Sequence, residues 1–278
     1  TIMDPQSGKI LVLAAYPSFD PNEYAKAESS VFKNPIIADS FEPGSIFKII
    51  AMSAALNEKE VTPDTICTKC FGPIRYDKYT IGTWDNHNFP YSTMQDIIVN
   101  SDNVGMAFVA EKLGLEKFLK YFHAFGFSTT TGIDLQEEAL PPVRPDKDWS
   151  YIDLATASFG QGIAVTPLQM VRAMAVIANG GKLVTPTVVD KIIEGNKEIT
   201  LPRKDPIQVI SLKAAKTMTD MLVYAVDNGK IQWAKPKDFK IAGKTGTAQV
   251  PISGHYDADK TVASFIAFAP ADNPRFVM

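Results

Sequence analysis

From Ser45 to Leu56 the chain is apolar nearly all round: Ile46, Phe47, Ile49, Ile50, Met52, Ala54, Ala55 and Leu56, with Lys48 the one charge among them. Such a stretch predicts a helix buried on every side rather than one resting on a surface. Helical spacing returns at about 94–99, from Asn103 to Leu113 and from Leu115 to Phe125. Thr166-Pro167-Leu168-Gln169 reads as a helix start, with a capping residue, proline at the first helical position and a glutamine to complete the capping box. That helix runs to Asn179 and stops at Gly180-Gly181. A last helix is capped by Ser211, reaches Asn228 and ends at Gly229.

Strand character sits at the two ends. Residues 1–16 read as a hairpin, with Pro5-Gln6-Ser7-Gly8 as the turn and Ile10 to Tyr16 as its second arm. Phe239 to Val250 and Thr261 to Ala269 read as strands, with Gly254 and His255 in the loop between them. Residues 17–44 are mostly loop and short helix, and 62–93 hold turns and short strands. The pattern predicts an α+β fold: a largely antiparallel sheet built from both chain ends, flanked by helices, with an inserted helical lobe. Residues 1–278 read as one domain. The abrupt strand-like opening at Thr1 and the close at Arg275-Phe276-Val277-Met278 read as a fragment of a longer protein.

Composition narrows the function. Apolar residues make up 45% and charged residues 21% of 278 residues, which is ordinary globular composition. Net charge is −3 with no basic run, so no nucleic-acid partner is expected. No stretch approaches the roughly 18 consecutive apolar residues of a spanning helix. Two cysteines, Cys67 and Cys70, leave three readings open: loop thiols, a tight disulfide, or half of a metal site completed by Asp85 or His87. A thioredoxin-type role would need a βαβ setting, which this region lacks. The site expected below uses no metal and no cofactor.

Three short stretches carry the chemistry. In Ser45-Ile46-Phe47-Lys48, positions i and i+3 of a helix share a face, so the serine hydroxyl lies beside the lysine amine. Burial disfavours the ammonium and frees an amine to accept the serine proton. In Ser101-Asp102-Asn103, Ser101 is placed to pass that proton to a leaving amine and Asn103 to orient Lys48 and bind a substrate amide. Asp102 is expected to face away and support the loop. In Lys244-Thr245-Gly246-Thr247, Lys244 with the hydroxyls of Thr245 and Thr247 is placed to hold a terminal carboxylate. Gly246 is expected to let a ligand approach the strand, and the amides of Thr247 and Ser45 to form an oxyanion hole. Taken singly, each stretch is as well explained by a helix cap, a snorkelling lysine or a turn. Together, in this order, they are the known signature of penicillin-binding proteins and class A β-lactamases.

The chain resembles the transpeptidase domain of class B penicillin-binding proteins along essentially its whole length. Further matching stretches are Met3-Asp4-Pro5-Gln6-Ser7-Gly8, Phe41-Glu42-Pro43-Gly44-Ser45 and Phe159-Gly160-Gln161-Gly162 with Thr166-Pro167. The resemblance implies attack by Ser45 on the D-Ala-D-Ala end of a peptidoglycan stem peptide, an acyl-enzyme, and resolution by an amine of a neighbouring stem. It implies acylation by β-lactam antibiotics, partners among other cell-wall synthesis proteins, and work in cell division or cell shape. It also implies a place on the extracytoplasmic face of the bacterial cytoplasmic membrane, anchored by a segment outside this chain. It gives Cys67 and Cys70 no role. A D,D-carboxypeptidase or a β-lactam sensor domain would share the acylation site. A class A β-lactamase would need an E-x-x-L-N stretch after Ser101, and Glu137-Glu138-Ala139-Leu140-Pro141 does not supply it. A Ser-His-Asp hydrolase is disfavoured: the only histidines are His87, His123 and His255, and no G-x-S-x-G occurs.

Overall fold

The computed structural model describes residues 1–229, 236–252 and 255–278. Its strands are β1 (Ile2–Met3), β2 (Ile10–Val12), β3 (Ile74–Tyr76), β4 (Tyr79–Ile81), β5 (Lys182–Leu183), β6 (Ile192–Glu194), β7 (Lys197–Ile199), β8 (Ile207–Gln208), β9 (Ala242–Ile252), β10 (His255–Ala269) and β11 (Phe276–Val277). Its α-helices are α1 (Pro35–Ala38), α2 (Lys48–Asn57), α3 (Met94–Asn100), α4 (Asn103–Leu113), α5 (Leu115–Ala124), α6 (Tyr151–Ala157), α7 (Pro167–Ala178) and α8 (Leu212–Asn228).

Both chain ends meet in one five-stranded sheet, in the order β2-β1-β11-β10-β9. Each pairing in it is antiparallel. The helices α2 to α7, with the small hairpins β3–β4 and β6–β7, fill the chain between its terminal arms. The expected architecture is therefore the one observed. Among the described residues β9 pairs only with β10, which leaves it an edge strand.

Helix α2 is the centre of the core. Every residue from Lys48 to Ala55 is buried, as an all-round apolar stretch requires. It packs against α4, α5 and α8. Phe47, fully buried, stacks into an aromatic group with its ring 5.1 Å from Phe127, 6.3 Å from Phe122 and 6.4 Å from Phe118. Burying a side chain of that size stabilises by roughly 2–3 kcal/mol, so the turn that carries Ser45 is fixed by its neighbour. The capping box at Thr166 and Gln169 forms as expected, with the threonine amide donating to Gln169 at 2.9 Å.

Four boundaries differ from expectation. The Ser45 turn is a 3-10 helix over Gly44–Phe47, and the α-helix begins only at Lys48. The second hairpin arm stops at Val12, because Leu11 and Val12 lie on the outer edge strand, half exposed, with no core to pack against. Strand β9 starts at Ala242 rather than Phe239, whose ring is exposed. Gly254, expected in the following loop, lies outside the described residues, and His255 opens β10. Helix α6 and the hairpin β6–β7 have no counterpart in the reading of the sequence, since each is too short to show a period.

Cys67 and Cys70 are joined as a disulfide and both are buried. That decides among the three readings of the pair. Among the described residues no group of three or more His, Cys, Asp and Glu is arranged to hold a metal. Among them, too, no helix is long and apolar enough to cross a membrane.

Candidate active site

Ser45 sits in the 3-10 turn, where residues three apart eclipse each other. Lys48 follows at the end of that turn, completely buried. Two close backbone contacts hold the turn. A β-carbon on Gly246 of β9 would lie 2.9 Å from the Ile46 side chain and 3.2 Å from the Pro43 carbonyl oxygen. One on Gly160 (φ +81°) would lie 2.2 Å from the Gly44 carbonyl oxygen, and the Gly160 carbonyl accepts from the Gly44 amide at 3.0 Å. The glycine of the K-T-G stretch thus makes room for the nucleophile's own turn, and it also lines the cleft described below.

The second stretch arrives from the junction of α3 and α4. Ser101 ends α3 in the left-handed conformation (φ 56°, ψ 42°), which a non-glycine residue holds only when its surroundings enforce it. Here they do: its carbonyl accepts from Lys48 Nζ at 2.6 Å. The same amine donates to Asn103 Oδ1 at 2.7 Å and to Ser101 Oγ at 3.2 Å. Asn103 Nδ2 in turn reaches the Gly82 carbonyl at 3.4 Å. Asp102 caps α4, accepting from the Val104 amide at 2.8 Å. It is buried, and burial raises its carboxyl above the usual range.

The third stretch lies on β9. Lys244 is buried at 4% exposure and donates to Ser101 Oγ at 2.9 Å and to the Thr245 carbonyl at 3.1 Å. One hydroxyl, that of Ser101, is thus bracketed by two buried amines. Burial and the neighbouring Lys244 charge push Lys48 well below the ordinary lysine range, while Asp102 pulls it back up. Burial lowers Lys244 to about 8. Both amines are thus easier to deprotonate than a surface lysine, Lys48 by burial and the Lys244 charge, Lys244 by burial.

Above these groups opens a cleft of ≈ 500 Å³. Its walls include Ser45, Ser101, Asn103, Lys244, Thr245, Gly246 and Thr247. All three stretches therefore share one groove, and Lys48 lies under its floor. The groove runs along the open edge of β9. Gln161, from the Phe159-Gly160-Gln161-Gly162 stretch, also lines it, as do Trp84 and Asn100, which nothing in the sequence spacing marked. Among the described residues no carboxylate lines it. Glu138 is spent elsewhere, accepting from the amides of Thr131 (2.6 Å) and Gly132 (3.0 Å). A Ser-His-Asp triple does occur: His123 contacts Ser128 Oγ at 2.8 Å and Asp146 at 2.9 Å. None of the three lines the cleft.

The antiparallel sheet with its helical lobe, and a serine, two lysines and an asparagine meeting at the edge strand, define the class of DD-peptidase/β-lactamase-like folds. The chain belongs within it to the penicillin-binding protein transpeptidase domain family, whose model matches residues 1–278. Stage V sporulation protein D of Bacillus subtilis is 37% identical over 282 residues, covering 99% of this chain and 43% of its own. Penicillin-binding protein PbpB of Mycobacterium tuberculosis is 32% identical over 289 residues, covering 100% and 42%. The chain spans less than half the length of these curated relatives. The crystal structure of penicillin-binding protein 3 from Mycobacterium tuberculosis, complexed with aztreonam, matches with a TM-score of 0.93 at 30% identity, covering 99% of this chain and 64% of that one.

Proposed function

We propose that the chain is the catalytic domain of a peptidoglycan D,D-transpeptidase, acylated at Ser45 by stem peptides and by β-lactams. The observation that carries this reading is the Ser101 hydroxyl held between the buried amines of Lys48 and Lys244, in a cleft that also exposes Ser45. Relatives named as probable peptidoglycan D,D-transpeptidases, such as PenA of Neisseria flavescens at 30% identity, support it.

In this mechanism the stem peptide adds to the edge of β9 as an extra antiparallel strand. Lys244, Thr245 and Thr247 take its terminal carboxylate. Lys48, as the free amine, accepts the Ser45 proton as Oγ attacks the penultimate D-Ala carbonyl. The amides of Ser45 and Thr247 take the oxyanion, each donor worth roughly 3–4 kcal/mol. The C–N bond breaks, and the proton passes through Ser101 to the departing D-alanine amine. An acceptor amine then attacks the ester, gives its proton back along the same path and frees Ser45. Asn103 keeps Lys48 aimed and binds the donor's amide. Among the described residues no carboxylate lines the cleft, which argues against rapid hydrolysis of the acyl-enzyme. The disulfide fits an oxidising compartment, in line with work at the outer face of the cytoplasmic membrane beside other cell-wall synthesis proteins, in division or elongation.

The test uses a synthetic stem peptide ending in D-Ala-D-Ala, with and without an added amine acceptor. Release of D-alanine with a new amide product is the expected result. Release with hydrolysis only, whatever the acceptor, would make the protein a carboxypeptidase.

A further inference from the structure

The mechanism above gives a task to Ser101 and to Asn103 and none to Asp102 between them. Asp102 is 1% exposed. Its backbone amide donates to the Ile97 carbonyl at 3.0 Å, and its Oδ1 accepts from the Val104 amide at 2.8 Å, which caps α4. Its Oδ2 is buried and, among the described residues, has no hydrogen-bond partner. A cap needs one acceptor oxygen, and serine, threonine or asparagine supplies it without a charge. Burying a carboxylate with an oxygen to spare is costly unless a cation stands near. The cap alone therefore does not account for an acid here.

The cation is close at hand. Lys48 Nζ donates to the Ser101 carbonyl at 2.6 Å and to Asn103 Oδ1 at 2.7 Å, so the residues on either side of Asp102 hold the amine. Among the described residues every hydrogen-bond partner of that amine is a neutral oxygen. Burial disfavours both the Lys48 cation and the Asp102 anion, and each charge partly offsets that cost for the other. Two further charges face them. Lys244 of β9 disfavours the Lys48 cation, and Asp85, in the turn after β4, disfavours the Asp102 anion. We propose that Asp102 is a positioning residue that acts through Lys48: its carboxylate is the buried counter-charge of that amine and governs when it gives up its proton. This inference rests on the transpeptidase reading above, in which Lys48 is the base of acylation, and adds what controls that base.

The experiment follows the second-order rate constant of acylation by labelled penicillin from about pH 4 to about pH 9, in the native protein and in Asp102→Asn, which keeps the cap oxygen and removes the charge. The native rate is expected to rise with pH as Lys48 loses its proton. In Asp102→Asn that rise should move to lower pH by about one unit, the low end of what a neighbouring opposite charge does. The fall set by Lys244 at about 8 should stay in place, since burial alone lowers that amine. A purely structural role for Asp102 would lower the plateau and leave both limbs where they are. Asp102→Ser, which also keeps a cap oxygen, should repeat the shift, with far-UV circular dichroism to show that each variant is folded. A rise at or above the native pH, loss of acylation in folded Asp102→Asn, a native profile without a rise, or failure of both variants to fold would overturn this inference alone. No acylation of the native protein at any pH would overturn it together with the transpeptidase reading.

Discussion

Two groups of lysines in this molecule live under opposite rules. Lys117 and Lys120 project from α5 into solvent beside Glu58 and Glu60, with Lys117 to Glu60 and Lys120 to Glu58 at 2.5 and 3.0 Å. Hydrogen bonds to those carboxylates raise both amines above the ordinary lysine value. Glu58 is lowered in return, first by the Tyr121 hydroxyl and then by Lys120. Lys48 and Lys244 are buried and share a serine hydroxyl, and among the described residues the hydrogen-bond partners of both are neutral oxygens. Both are lowered, chiefly by burial. The same side chain is held charged in one setting and is easier to deprotonate in the other. The difference comes from what surrounds the nitrogen, solvent and carboxylate or core and neutral oxygen.

Breaking the buried group should have the largest effect. Lys48→Met keeps the bulk of the side chain and removes the amine. Acylation by labelled penicillin should fall by at least ~10³-fold, within the range of a lost general base. The Ser101 carbonyl also loses its donor, so denaturant unfolding should show a loss of about 1–3 kcal/mol. Labelling at the native rate in this variant would remove Lys48 from the mechanism.

Next in size is the pH dependence set by Lys244. Its amine titrates at about 8 in the folded protein. Below that value it is a cation, which the proposed mechanism uses to hold a carboxylate; above it the charge is lost. The second-order rate constant of acylation should therefore fall as pH rises through about 8. In Lys244→Met the rate should be low throughout and this alkaline fall should disappear. A fall that persists would assign it to another group.

Smaller again is the effect of Gly160→Ala. The added methyl meets the Gly44 backbone, and the residue must hold a positive φ, so the Ser45 turn has to shift. Acylation should drop by about 10-fold, in keeping with a nucleophile moved by a fraction of an ångström. Native acylation would show that the turn tolerates movement. The smallest effect belongs to the surface group. Lys117→Gln and Lys120→Gln should leave acylation unchanged and move the melting temperature by no more than about 2 °C.

The sequence made some of this legible and hid the rest for physical reasons. Helix α2 declared itself because it is apolar on every side, and a lysine in such a helix has nowhere to go but the core. The sheet from both chain ends followed from strand character at the termini. The motif set, not local spacing, led to Asn103 as the group that orients Lys48, and the bond to the Ser101 carbonyl, which comes from another helix junction, had no sign in the sequence. The left-handed turn at Ser101 is likewise enforced by tertiary contact and has no marker in Ser-Asp-Asn itself. Gly246 and Gly160 were visible as motif residues, but their shared task, making room for the Gly44–Phe47 turn, exists only once β9 and the 159–162 loop meet. Trp84 reached the cleft from a region readable only as turns and short strands.

The most direct measurement is peptide mapping by mass spectrometry after treatment with benzylpenicillin at neutral pH. One adduct is expected, on the peptide that contains Ser45, persisting for many minutes, and none in Lys48→Met. An adduct on a different residue, or rapid release of hydrolysed drug with no adduct at Ser45, would contradict the account.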